Sequence, residues 1–198
     1  MGKYIAKYSK HDMPQLDDLQ KELKRERYKR RFRKLLRSTI NALIVVAAVA
    51  ALIATLILPV LQIAGTSMEP SLNDGDIVLL VKTDNLKSGD LCAFYYSNKI
   101  LIKRIIATPG DYIWIESDGT VFLNGEPLDE PYVSEKALGE CDVEFPYQVP
   151  ENSYFVMGDK RETSIDSRSS VIGCIAEDQI IGKIFCKFWP LEDFEFIG

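Results

Sequence analysis

Residues 91–106 read Leu-Cys-Ala-Phe-Tyr-Tyr-Ser-Asn-Lys-Ile-Leu-Ile-Lys-Arg-Ile-Ile. Two runs of β-branched, aromatic and aliphatic residues are separated by Ser97-Asn98-Lys99, a turn-forming triplet, so the stretch predicts a β-hairpin. The same signals recur on either side. Strands are expected over residues 77–81, 112–116, 120–123, 154–157 and 180–188, with turns at Asn73-Asp74-Gly75-Asp76, Ser88-Gly89-Asp90, Ser117-Asp118-Gly119 and Asn124-Gly125. No helical period persists for three turns after residue 60. The expected fold is mainly β, a folded sheet or partial barrel over residues 60–198, with a small acidic, turn-rich cap at about 111–152.

The N-terminal third is different. Residues 1–37 hold 13 Lys+Arg against 5 Asp+Glu, and residues 38–68 hold no charge. Residues 39–58 make a helix of ~30 Å, the hydrocarbon thickness of a bilayer. Pro59 stops it, because proline lacks an amide donor and disfavours helix in the residue before it. A buried core helix would need protein on all sides of this unstriped run, and a cleavable signal peptide would have a shorter apolar region. A single transmembrane helix over residues 38–59 is therefore expected, uncleaved. The cluster of Lys and Arg before it keeps residues 1–37 cytoplasmic and places residues 60–198 outside. Such a cluster against a membrane points to anionic lipid rather than to nucleic acid.

Cysteine and histidine counts narrow the chemistry. Cys92, Cys141, Cys174 and Cys186 are spaced by 49, 33 and 12 positions, with no C-x-x-C, so no metal site or cofactor is expected. Cys92 and Cys186 lie in apolar runs and are expected as buried free thiols. The one histidine, His11, precedes the apolar helix. A serine nucleophile beyond the membrane must therefore use another base, and lysine serves in Ser-Lys variants of the triad.

Three segments carry that chemistry. Residues 65–72 read Gly-Thr-Ser-Met-Glu-Pro-Ser-Leu, and Ser67 follows Leu58 by nine residues, within ~30 Å of extended chain. Residues 103–111 read Lys-Arg-Ile-Ile-Ala-Thr-Pro-Gly-Asp. Lys103 shares a strand face with Leu101 and Ile105, and Arg104 points the other way. Such a lysine either snorkels to solvent or is desolvated. An ordinary lysine is about 0.1% neutral at pH ~7.4, and lowering its pKa by ~3 takes ~4 kcal/mol. Residues 158–168 read Gly-Asp-Lys-Arg-Glu-Thr-Ser-Ile-Asp-Ser-Arg.

Together and in this order, the three segments resemble the Ser-Met-x-Pro-x-Leu, Lys-Arg-x-x-x-x-Pro-Gly-Asp and Gly-Asp-x-Arg-x-x-Ser-x-Asp-Ser-Arg boxes of bacterial type I signal peptidases. The resemblance covers most of residues 38–188. It implies Ser67 as nucleophile and Lys103 as general base, with Ser164 orienting Lys103, Asp166 and Arg168 as a supporting ion pair, and Met68 packed beneath the site. It also implies signal peptides of exported preproteins as substrates, small residues at their −1 and −3 positions, and a single-pass protein of the bacterial plasma membrane. Gly65 stands where many members carry a serine that helps bind the oxyanion, as in the Gram-positive branch. Lys160 replaces a frequent asparagine, with little catalytic effect expected. An extended substrate is expected to pair with a strand edge near residues 77–80. A catalytically silent binding module on the same fold is the alternative, but such relatives lack the serine or the lysine and this chain has both.

Overall fold

The computed structural model describes residues 16–57 and 59–197. One helix, α1 (Leu16–Ile57), runs without interruption through the basic segment into the apolar one. It is long and apolar enough to cross a membrane. Leu43, Ile44, Val45 and Val46 all face outward, at 60–65% exposure, as suits a surrounding of lipid rather than protein. The expected span had its inner limit at residue 38. The helix itself ignores that limit, because Lys, Arg, Glu and Leu are all good helix formers.

The remainder is a separate unit of two antiparallel sheets. The strands are β1 (Val60–Gln62), β2 (Ile77–Val81), β3 (Leu91–Tyr96), β4 (Lys99–Ala107), β5 (Tyr112–Ile115), β6 (Val121–Leu123), β7 (Glu126–Pro127), β8 (Tyr147–Gln148), β9 (Ser153–Met157), β10 (Ile175–Ala176), β11 (Ile180–Trp189) and β12 (Glu195–Phe196). The larger sheet has the order β1-β2-β11-β3-β4-β9-β10, with β12 also on β11, and the smaller has the order β7-β6-β5-β8. The fold is thus mainly β with an apolar N-terminal helix, as the sequence led us to expect.

The β3–β4 hairpin closes through Ser97 and Asn98, at φ 43° and 66°. Two left-handed residues in a row match the right-handed twist of the flanking strands. Register then fixes the chemistry. Lys103 sits opposite Cys92 on β3, and Arg104 sits opposite Leu91 on β3 and Met157 on β9. The second segment therefore lies one residue from the start of the third. The cores on the two sides of the sheet are apolar. One gathers Met68, Leu72, Val78, Leu80 and Ile184, and the other gathers Phe94, Ile105, Tyr154 and Val156.

The expected substrate-pairing edge at residues 77–80 is not an edge. β1 covers β2, with Val60, Leu61 and Gln62 opposite Leu79, Val78 and Ile77, and β11 lies on its other side. Leu80 donates its amide to the Pro59 carbonyl at 2.9 Å. The outer strand is β1, a three-residue strand too short to be told from a linker in sequence.

All four cysteines are free, and Cys92 and Cys186 are buried. Burial, with help from Asp90, pushes the Cys92 thiol up to about 12, which removes it from nucleophilic chemistry.

Candidate active site

Ser67 lies in a tight turn after β1. The Glu69 amide donates to the Thr66 carbonyl at 3.1 Å and the Leu72 amide to the Met68 carbonyl at 2.9 Å. Met68, 2% exposed, anchors this turn in the core. Although β1 and β4 are separated by three strands in the sheet, Leu61 and Gln62 of β1 and Ile100 to Lys103 of β4 line one cleft, with Ala64, Gly65, Ser67 and Met68 between them. The sheet curls to bring the two together. The cleft measures about 120 Å³. That is well below the ~300 Å³ of a typical small-molecule pocket, and it admits small side chains only.

Lys103 is 4% exposed, which settles the choice left open by its strand face: it is desolvated. Burial drives its ammonium down from 10.5 to about 8, with Asp166 and Asp159 pulling it up and Arg168 pushing it down. Its Nζ donates to Ser164 Oγ at 3.0 Å. Ser164 is itself 1% exposed, so this partner is fixed.

The third segment folds back on the first. Lys160 donates its amide to the Ser67 carbonyl at 3.1 Å. A Cβ on Gly158 would stand 2.2 Å from Ser164 Oγ and 2.7 Å from the Ser67 carbonyl oxygen. Only glycine permits this approach, and through it the turn carrying Ser67 and the loop carrying Ser164 touch.

Three buried arginines hold the loop. Arg168 donates through Nε and Nη2 to Asp166 at 2.8 and 2.9 Å, and through Nη1 and Nη2 to the carbonyls of Leu138, at 2.6 Å, and Arg161, at 2.9 Å. Asp166 also accepts the Gly158 amide at 2.9 Å. Arg104, on the face opposite Lys103, grips Asp159 with two bonds of 2.8 and 2.7 Å and reaches Ser71 Oγ at 3.1 Å. One guanidinium thereby ties all three segments together. Arg161 forms a two-pronged pair with Glu130. Tyr132 lies beneath Arg104, with the guanidinium carbon 3.8 Å from the ring centre.

Sequence reasoning gave no role to Arg104, Asp159 or Arg161, although all three lie inside the quoted segments. For Glu130 and Tyr132, no local signal exists, since their partners are about 30 residues away. Lys160 pairs with Glu69 at 2.9 Å near the surface, where such a bond contributes little.

Gly65 has φ +98°, and its amide donates to Asp74 Oδ1 at 2.7 Å. No atom blocks a Cβ there, so the backbone angle alone selects glycine. Gly65→Ala is expected to lower stability by about 1 kcal/mol and to reduce turnover through displacement of the Ser67 turn. Denaturant midpoints and kcat on a peptide substrate check this.

Residues 36–189 match the family model "Signal peptidase, peptidase S26". A signal peptidase IB of Staphylococcus aureus (strain MRSA252) is 36% identical over 154 residues, which is 68% of this chain and 79% of that protein. Signal peptidase I of Bacillus licheniformis is 36% identical over 144 residues, 66% of this chain and 76% of that protein. The crystal structure of a signal peptidase I from Enterococcus faecalis V583 aligns with a TM-score of 0.41 at 27% identity, covering 50% of this chain and 97% of that one. With a family match across most of its length, this chain belongs to the peptidase S26 family of signal peptidases.

Proposed function

We propose that this protein is a membrane-anchored serine endopeptidase that removes signal peptides from exported preproteins, with Ser67 as nucleophile and Lys103 as general base. The observation that carries the reading is Lys103 itself, a lysine buried to 4% exposure, bonded to Ser164 and lining the same small cleft as Ser67. At a pKa of about 8, roughly a fifth of the amine is neutral at pH ~7.4, against about 0.1% for an ordinary lysine. Buried surroundings thus raise the population of competent base by a factor of order 100.

The chemistry is acyl transfer. Neutral Lys103 takes the Ser67 hydroxyl proton as Oγ attacks the scissile carbonyl. The ammonium then protonates the leaving amine, and Lys103 activates water to release the acyl group. Ser164 holds the amine in place throughout. The backbone amide of Ser67 supports the oxyanion. Small substrate residues at −1 and −3 suit the narrow cleft, and the free side of β1 offers an extended peptide its backbone pairing.

The basic half of α1 is cytoplasmic and the β unit lies outside, an orientation supported by the positive-inside rule. Enzyme and signal peptide then share one bilayer, which raises their effective concentration.

Cleavage of a preprotein by membranes containing this protein tests the activity. The base is tested by its pH profile: kcat/KM should rise with pH through an apparent pKa near 8. A rate that stays flat from pH 6 to pH 9 would remove Lys103 from the role.

A further inference from the structure

An open hollow of about 420 Å³ borders Lys103 but not Ser67. Tyr96, Leu101, Lys103, Ile165, Val171 and Ile172 line it. Leu101 and Lys103 also line the cleft that holds Ser67, so the two concavities lie side by side and share these side chains as a wall. The walls of the hollow are fixed to each other: the Tyr96 hydroxyl at the hairpin end donates to the Val171 carbonyl at 2.5 Å. Yet Ile165 is 52% and Val171 68% exposed, two apolar side chains displayed beside a reactive amine.

The proposed reaction dictates which part of the substrate passes this place. As the Oγ–C bond forms and the C–N bond breaks, the leaving nitrogen must accept the proton that Lys103 took from Ser67. That nitrogen belongs to the first residue after the scissile bond and must come within hydrogen-bond reach of Nζ. The chain that continues from it is therefore delivered past Lys103, where the hollow begins.

We propose that this hollow is the subsite for the first or second residue after the cleavage point, the start of the mature segment, and that it selects apolar side chains there. Lys99 also lines it, so a cationic residue at that position is disfavoured by like charge. The proposal rests on the Ser67–Lys103 reading and adds a second determinant of cleavage, beyond the small residues at −1 and −3. Ile165 and Val171 are specificity residues and take no part in proton transfer.

The test uses the full-length protein in detergent micelles and internally quenched peptides. All peptides carry the same Ala-x-Ala sequence before the scissile bond and differ only at +1 and +2, with Leu, Asp or Lys. Wild-type kcat/KM is expected to favour Leu over Lys by about 10-fold or more. Val171→Glu, which keeps the backbone carbonyl that Tyr96 binds, is expected to shrink or invert this ratio while leaving discrimination at −1 unchanged. Equal rates across the series in the wild type, or an unmoved ratio in Val171→Glu, would overturn the subsite and leave the hollow to another occupant such as a lipid chain. Failure of the underlying dyad has a different signature: Ser67→Ala would still cleave the peptides.

Discussion

Ser67→Ala should reduce preprotein cleavage by at least ~10⁴-fold, and Lys103→Met should match it. Removal of either partner leaves the other without a function, so the double variant is expected to be no worse than each single one. Lys103→Arg is the sharper probe. It keeps the positive charge and much of the packing, but guanidinium does not lose its proton near neutral pH, and this variant should be equally inactive. Membranes containing each variant, beside the wild type, provide the assay, and circular dichroism checks that the β unit is intact. Processing retained above about one part in a hundred by any folded variant would contradict the assigned roles.

Arg168→Met is expected to destabilise the β unit by about 3–5 kcal/mol, because it strands Asp166 as a buried charge without its ion-pair partner, held by backbone amides alone. Both side chains are fully buried. The carbonyls of Leu138 and Arg161 lose their donor as well. The variant also carries an electrostatic signature. Arg168 pushes the Lys103 ammonium towards deprotonation and Asp166 pulls it back. Loss of the arginine alone should therefore raise the Lys103 pKa and move the rising limb of the pH profile upward. Pairing Asp166→Asn with Arg168→Met removes the stranded charge and should recover part of the loss. Denaturant unfolding followed by tryptophan fluorescence measures the first effect, and kcat/KM against pH the second. A loss under 1 kcal/mol would mean that water reaches Asp166.

The hairpin at residues 91–107 was legible because its turn and its alternation are local properties. Asn98 tolerates positive φ, and the two runs have one strand's length each. The sheet's edge was not legible. Val60, Leu61 and Gln62 follow an apolar helix and a proline, so nothing marks where the helix ends and a strand begins, and the pairing edge was placed one strand too far in. The two-residue strands β7, β8, β10 and β12 are bridges created by tertiary contact, with no pattern of their own. In the site, the face of Lys103 followed from strand period, but its burial depended on Ser164, 61 residues away. The arginine clamps show the same limit. Arg104 was seen to point away from Lys103, yet Asp159 and Tyr132 become its partners only once β9 and the segment carrying residue 132 are in place.

The sequestered amine of Lys103 leaves a mark on the whole molecule. Its proton is held less tightly in the folded chain, at about 8, than in the unfolded one, at about 10.5. Below pH ~8 the native state must carry that charge against its surroundings, a burden on the order of 3 kcal/mol that fades as pH climbs past 8 and is gone by about 10.5. Through this one group, a rise in pH from about 8 to about 10.5 favours the native state. The carboxylates of Asp166 and Asp159 offset part of that burden, and the Arg168 guanidinium adds to it.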